Sequence, residues 1–427
     1  MTEAIDQLEL PSSWDIRAIN AICQKPQYGF TESATAQPIG PHFLRITDID
    51  EGRVDWAAVP FCRCSEDEIP RYRLQHNDIL FARIGATTGK SFLVKHPPDS
   101  VFASYLIRLR TSESVSPDFL FYFFNSGFYW SQVNANKFAS LKGGINGAIL
   151  SELRVIMPPL PEQKKIAAVL SKIQQGIELE AALARNAREL KSATMRRLFS
   201  AGLRSEDQKE TPVGLIPESW DIASLETLGR IGNGSTPKRT NPAYWMRGKT
   251  PWLTSGKIHE GVITSADEFV TELAVQECHL PMVKAGSVLV AITGQGKTLG
   301  NAALVTFDTC ISQHLAYIQF TNQGVIPGFV VLFLQSRYEE LHRAGQAGGS
   351  TKGALTCSFL RNYRMPLPPP GEQEEITEIL QAIDRKIAVH DAKQQAWQDL
   401  FKTMLHKLMT AQIRVNDLDI DTRELEA

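Results

Sequence analysis

The chain has 427 residues, 43% hydrophobic and 22% charged, with a formal net charge of −2. Such values exclude a disordered or collagen-like polypeptide and leave room for roughly two to four globular domains. No run of about 18 apolar residues occurs, so no membrane-spanning helix is expected. The start, MTEAIDQLEL, carries neither a basic nor an apolar signal region, and a cytoplasmic protein is expected. Six cysteines are too few for a disulfide framework. The Cys62/Cys64 pair has no second pair at zinc spacing, so no metal site is expected.

In chain order, the first segment opens on PSSWDI at Pro11 and continues as short β-type runs, HFLRITDI, DILFARI, KSFLV and YLIRLR, broken by Gly, Pro, Asn and Asp. They read as an irregular sheet domain with long loops. Helical patterning inside it is limited mostly to Phe119–Phe128. A proline-rich stop at 158–161 then leads into Glu162-Gln163. Proline suits a helix's first turn and glutamate its N-terminal dipole. Beyond it Ile166, Leu170, Ile173, Ile177 and, further on, Leu198 lie on one stripe, with steps alternating between four and three residues. This spacing predicts one long helix over Glu162–Ser200, about 58 Å at roughly 1.5 Å per residue.

The polar stretch SAGLRSEDQKETPVG from Ser200 reads as a linker, and then the pattern starts again. IPESWDI from Ile216 repeats the opening. VLVAI, NAALV and LAYIQF repeat the strands, and Phe329–Arg343 repeats the helical segment. A second proline stop precedes Glu372-Gln373. A second stripe runs through Ile376, Leu380, Ile383, Ile387, His390, Gln394, Trp397, Phe401, Met404 and Leu408. The chain is thus a tandem repeat with a period of roughly 200 residues. The boundaries expected are 1–157 and 204–365 for two β-rich domains, 158–203 and 366–412 for two long helices, and 413–427 for a polar tail. The fold class expected is α+β with a pseudo-two-fold relation between the copies. A lone striped helix would be poorly buried, so the pair is expected to pack as an antiparallel coiled-coil spacer. The alternative is that each helix packs on its own domain.

One stretch, VLVAITGQGKT (Val288–Thr298), looks like a phosphate-binding loop, G-x-x-x-x-G-K-[ST]. Ala291 stands where the first glycine belongs, and LGNAALV follows as a strand rather than the helix whose N-terminus would hold the anion. The first copy has FARIGATTGKSFLV at the matching place. Aligning Gly85 with Gly294 and Gly89 with Gly300 makes this a strand–turn–strand frame with a different tip in each copy. No catalytic triad, paired-carboxylate or metal-ligand constellation stands out. NPAYW at Asn241 is expected to be a turn with aromatic packing rather than a methylation motif.

Charge is unevenly placed. Thr227–His259 holds six basic residues and no acid, Leu341–Arg364 four and no acid, and between Phe119 and Ser151 the charges are Lys137 and Lys142. A near-neutral total can hide basic faces that meet phosphate.

With the paired PSSWDI and IPESWDI starts, the paired PPLPEQKKIAAVL and PPPGEQEEITEIL junctions and the paired glycine turns, the chain resembles the specificity (S) subunit of type I restriction–modification systems over nearly its whole length. The resemblance implies that each globular part is a target recognition domain reading half of a split, asymmetric DNA site, while the long helices fix the spacing. It also implies docking of two methylation (M) subunits that modify adenine, with restriction (R) subunits joining the core formed by one S and two M subunits. No cofactor is expected in this chain; S-adenosylmethionine, ATP and Mg belong to the partner subunits, and the S subunit itself is not an enzyme. Candidate contacts to double-stranded DNA are loop residues able to reach phosphates or base edges. In the first domain they are Arg83, Thr87, Thr88, Lys90, Ser140, Lys142 and Asn146. In the second they are Thr236, Lys238, Arg239, Lys257, Lys297, Thr298, Ser350, Thr351 and Lys352. Two alternatives stay open: a single-chain methyltransferase or nuclease with duplicated DNA-binding parts, and a duplicated scaffold that binds protein only.

Overall fold

A computed structural model describes residues 8–50, 52–139, 144–294, 296–346 and 353–425. The chain divides into two compact units. One is Met1–Ala181 together with Ala392–Ala427, and the other is Ala182–Asp391. Both are mixed α+β. Two helices outlast everything else, Leu160–Ala201 with 42 residues and Pro370–Met409 with 40. Each begins at its proline-rich stop and carries its glutamate in the first turn.

In the first unit a four-stranded antiparallel sheet runs in the order Gln27–Tyr28, Leu106–Leu109, Ile79–Ala82, Ser91–Leu93. His42–Leu44 pairs in parallel with Ser100–Phe102 beside it. In the second unit the corresponding order is Gly229–Asn233, Leu315–Phe320, Val288–Ala291, Ala302–Val305, extended by the parallel strand Val262–Ile263. A three-stranded sheet, Glu268–Val270, Thr250–Leu253 and Cys310–Ile311, has no three-stranded equivalent among the described residues of the first unit. In both units the strand after the Trp-Asp start pairs with the strand just before the long helix, Asp15–Ala18 with Arg154–Met157 and Asp221–Ser224 with Arg364–Leu367. The start and end of each repeat are therefore held side by side, and the long helix leaves from a fixed point.

That point is fastened by the repeated Trp and Glu-Gln. Trp14 Nε1 donates to Glu162 Oε2 at 2.9 Å, and Trp220 Nε1 donates to Glu372 Oε2 at 3.0 Å. All four side chains are buried, which is tolerable for a carboxylate that is hydrogen-bonded at a helix N-terminus. The neighbouring glutamine makes the second fastening. Gln163 accepts from Ser116 N and donates to Pro158 O, while Gln373 accepts from Ile326 N and donates to Pro368 O. The Glu-Gln pair thus does more than suit the dipole. It ties the helix to the indole on one side and to the start of a domain helix on the other.

Both long helices contribute to each unit. In the first, Ile166 and Leu170 share a core with Leu405, Leu408 and Met409, alongside Trp14, Phe119 and Phe123. Gly176 lies so close to Trp397 that an added Cβ would sit 2.9 Å from the indole. In the second, Met195, Leu198 and Phe199 share a core with Ile376 and Leu380, and Phe199 meets Phe329 and Phe333 edge-on at 5.4 Å each. Lys191 pairs with Asp384 and Arg188 with Asp391 across the two helices. Within each unit an early part of one helix therefore lies against a late part of the other, which is antiparallel packing. The paired arrangement is the one found; the alternative, each helix packed on its own domain, is not, because the later half of each helix joins the core of the other repeat's unit. Ile173 is buried, and Ile177, Ile383, Ile387, Trp397, Phe401 and Met404 are half-buried, as a two-helix seam with one solvent side requires.

Candidate nucleic-acid interface

The glycine turns are built alike. Ile79–Ala82 and Ser91–Leu93 flank the first, and Val288–Ala291 and Ala302–Val305 flank the second; both pairs are antiparallel. Gly89 N donates to Ala82 O at 2.8 Å and Gly300 N to Ala291 O at 2.9 Å. Gly85, Gly89 and Gly300 have φ of +82°, +89° and +87°, a region that favours glycine. No helix follows either turn, so neither has the helix N-terminus that a phosphate loop requires.

The structure sorts the sequence-derived candidates. Lys90, Lys238 and Lys297 are exposed, Lys90 and Lys297 on the turns and Lys238 on the loop after Asn233. Thr87, Thr236 and Thr298 are half-buried, and Thr298 Oγ1 lies 3.2 Å from His259 Nε2. Arg83 is half-buried with its guanidinium 5.0 Å from the centroid of the Tyr28 ring. Four candidates have structural occupations. Thr88 is 2% exposed and donates to Gly85 O at 2.7 Å, so it shapes the turn from inside. Asn146 caps the helix Gly147–Glu152 by accepting from Ile149 N. Arg239 pairs with Glu268 and lies over the Trp245 and Trp252 rings. Lys257 is paired with both Glu260 and Asp267, and these carboxylates hold its ammonium pKa above the usual lysine value. Ser140, Lys142, Ser350, Thr351 and Lys352 lie outside the described residues.

The acid-free run Thr227–His259 is therefore less basic in space than in sequence. Acidic partners from 260–268 fold back onto two of its six cations, while Arg230, Lys238, Arg247 and Lys249 remain exposed. Asn241 caps a short 3-10 turn by accepting from Ala243 N, and Trp245 packs edge-on against Trp252 at 5.2 Å, so NPAYW is a turn with aromatic packing. Among the described residues no group of three or more His, Cys, Asp or Glu side chains could hold a metal ion. No helix among them is long and apolar enough to cross a membrane.

Two homologous β-rich units, each joined to a pair of long helices, place the chain among duplicated recognition proteins. It belongs to the family of type I restriction–modification specificity subunits, because the model of the type I restriction modification DNA specificity domain matches it twice, over residues 11–187 and 217–396. It is accordingly the DNA specificity component of such a system, the part that carries no catalysis. A relative from Methanocaldococcus jannaschii, named for the MjaX specificity subunit, is 26% identical over 95% of each chain. The EcoKI specificity subunit of Escherichia coli is 29% identical over 49% of this chain and 46% of its own. The crystal structure of the type I S subunit from M. genitalium superposes with a TM-score of 0.58 at 16% identity, covering 94% of this chain and 98% of that one. A structure of a type I restriction–modification assembly contains a chain with TM-score 0.58 at 18% identity, covering 95% of this chain and 100% of that one.

Proposed function

We propose that each unit reads one half of a bipartite, asymmetric DNA site and that the helical pair sets the unread spacer between the halves. The observation that carries this reading is the duplication of the glycine-turn frame in two separate compact units with different tips. Exposed Lys90, Lys238 and Lys297 serve phosphates, which position a protein on DNA without specifying sequence. Half-sites read from one face of a duplex lie about one helical turn apart, roughly 34 Å. A helix of about 60 Å, at roughly 1.5 Å per residue, can span that separation. The domain limits 1–157 and 204–365 and the helical segments 158–203 and 366–412 are the working boundaries of the readers and the spacer.

In this reading the helices also dock two methylation subunits, which carry S-adenosylmethionine and modify adenine. Restriction subunits using ATP and Mg join through them, in the cytoplasm. The chain itself holds no cofactor. The test is a matched insertion of one helical turn after Ala184 and at the facing position beside Asp391, expressed with the methylation subunit. Methylome sequencing should show both half-sites retained and the spacer lengthened. An unchanged spacer rules the reading out. Incubation of the purified chain with DNA and S-adenosylmethionine, with and without the methylation subunit, separates this from a self-sufficient methyltransferase.

A further inference from the structure

Beyond the glycine turns, the two units share a wider backbone frame, bond for bond. Arg83 N donates to Tyr105 O and Ile292 N to His314 O, both at 3.0 Å. Arg83 O accepts from Ile145 N, and Ile292 O accepts from Leu355 N. Gly29 N donates to Leu106 O and Gly234 N to Leu315 O, both at 3.2 Å. Tyr28 pairs with Ile107 and Asn233 with Ala316 at the same place in the sheet. Inside the frame three positions are the same in both copies. Leu80 and Leu289, Ala82 and Ala291, and Leu106 and Leu315 are buried and identical in type. Around the turn they disagree. Tyr28 has Asn233 as its counterpart, Ile84 has Thr293, and Tyr105 has His314, while Arg83, half-buried, is matched by Ile292, which is buried in the core.

We propose that this frame-fixed patch is the base-reading surface of each domain, formed by Tyr28, Arg83, Ile84 and Tyr105 in the first and by Asn233, Thr293 and His314 in the second. The inference rests on the half-site reading above and names the side chains that carry it. Three large apolar or aromatic residues of the first patch are well exposed, Tyr28 at 40%, Ile84 at 41% and Tyr105 at 54%. Gathered beside the glycine turn, such exposed apolar groups can meet a thymine methyl. Tyr28 is held by accepting from Gly147 N at 2.8 Å, and its ring supports the Arg83 guanidinium. That leaves a preorganised fork suited to guanine O6 and N7. In the second patch the His314 ring is bonded to Thr293 Oγ1, and Cys357 Sγ lies 3.9 Å from Asn233 Oδ1, so small polar groups replace the aromatic platform. A shared backbone frame that carries different exposed side chains is what one scaffold needs to recognise two different base sequences.

The test uses the full chain with its methylation subunit and reads the methylome. The unaltered chain should give a bipartite motif; if it gives none, the half-site reading itself fails. Given that motif, Tyr105→Ala should relax a base position in one half and His314→Ala one in the other, with the spacer unchanged. Competition with single-base oligonucleotide variants should show about a 5- to 150-fold loss of discrimination at the affected position. Arg83→Lys keeps the charge and loses the fork, so it should relax a guanine in the same half as Tyr105→Ala. Both alanine sites are exposed, and melting of the variants checks that folding is intact. An unchanged motif in all three variants overturns the assignment. So does methylation that falls evenly at every site with each base preference kept, because that outcome marks phosphate contacts alone.

Discussion

Replacing Glu372 with leucine tests the joint that launches the second long helix. The carboxylate is 2% exposed and accepts from Trp220 Nε1 at 3.0 Å and from Leu203 N at 2.7 Å. Leucine fits the volume and leaves both donors without an acceptor. Trp220 is fully buried, so its indole N–H loses the whole of its desolvation compensation; Leu203 is half-buried and can recover part of it from water. At about 1–3 kcal/mol for each stranded donor, the loss should be about 2–5 kcal/mol. For a unit of roughly 200 residues this corresponds to a fall in Tm of about 5–15 °C. Differential scanning calorimetry of the purified chain measures it. Glu374→Leu, at an exposed position of the same turn, should stay within about 0.5 kcal/mol of the parent. Glu162→Leu should also destabilise, since it strands Trp14 and the Arg414 guanidinium that binds the same carboxylate. If Glu372→Leu melts together with Glu374→Leu, the buried hydrogen bonds do not hold the helix in place.

Gly176→Ala gives a prediction of sign. On an unpacked helix alanine would stabilise by about 0.8–1.0 kcal/mol, but here its Cβ meets Trp397 at 2.9 Å, so overpacking of about 1–3 kcal/mol should win. A higher urea midpoint would show that the indole is not lodged there. The Lys191–Asp384 pair, with side chains 19% and 43% exposed, should show a coupling of under about 1 kcal/mol in a double-mutant cycle that shrinks further in salt. Burial pushes the thiols of Cys62 and Cys310 up to about 12 and about 11. Both should resist alkylation at pH 8 until the chain unfolds, which mass spectrometry of labelled peptides reads directly. Since these pKa values are raised on folding, their contribution to stability is complete below the ordinary thiol value of 9.0 and lost as pH rises from there towards 12. Stability measured across that window should decline.

The repeat, the strand runs and the long helices were legible because periodicity survives in a linear string, and the stripes of Ile166 and Ile376 mark the helix faces outright. The Trp-Asp and Glu-Gln signatures were visible as repeats, but their bond to each other was not, since Trp14 and Glu162 are brought together only by strand pairing at the ends of the domain. The candidate interface was legible in part. Counting charge along 227–259 overstates its basic character, because Glu268 and Asp267 enter from beyond the run. Loop position made Thr88 and Asn146 look available, while their side chains close a turn and cap a helix. Tyr28, Tyr105 and His314, members of the proposed patch, carry no local mark in the sequence. These sit at strand ends in apolar or neutral surroundings, and nothing local separates them from residues that face inward. Matching the two copies position by position raises Tyr105 against His314, equivalent positions beside the glycine turn that are both exposed and differ in chemistry.

The two units are not equivalent as stretches of chain. The second is continuous, Ala182–Asp391, whereas the first needs Leu405, Leu408 and Met409 to cover an apolar face formed by residues from the other end of the polypeptide. During synthesis the second can close once residue 391 has emerged, while the first waits for the segment beyond it, which packs on Tyr122 and Phe128 through Phe401 and His406. Of the two, the unit made earlier is thus completed later, and a chain cut between residues 391 and 405 has a sticky leading unit and a sound trailing one.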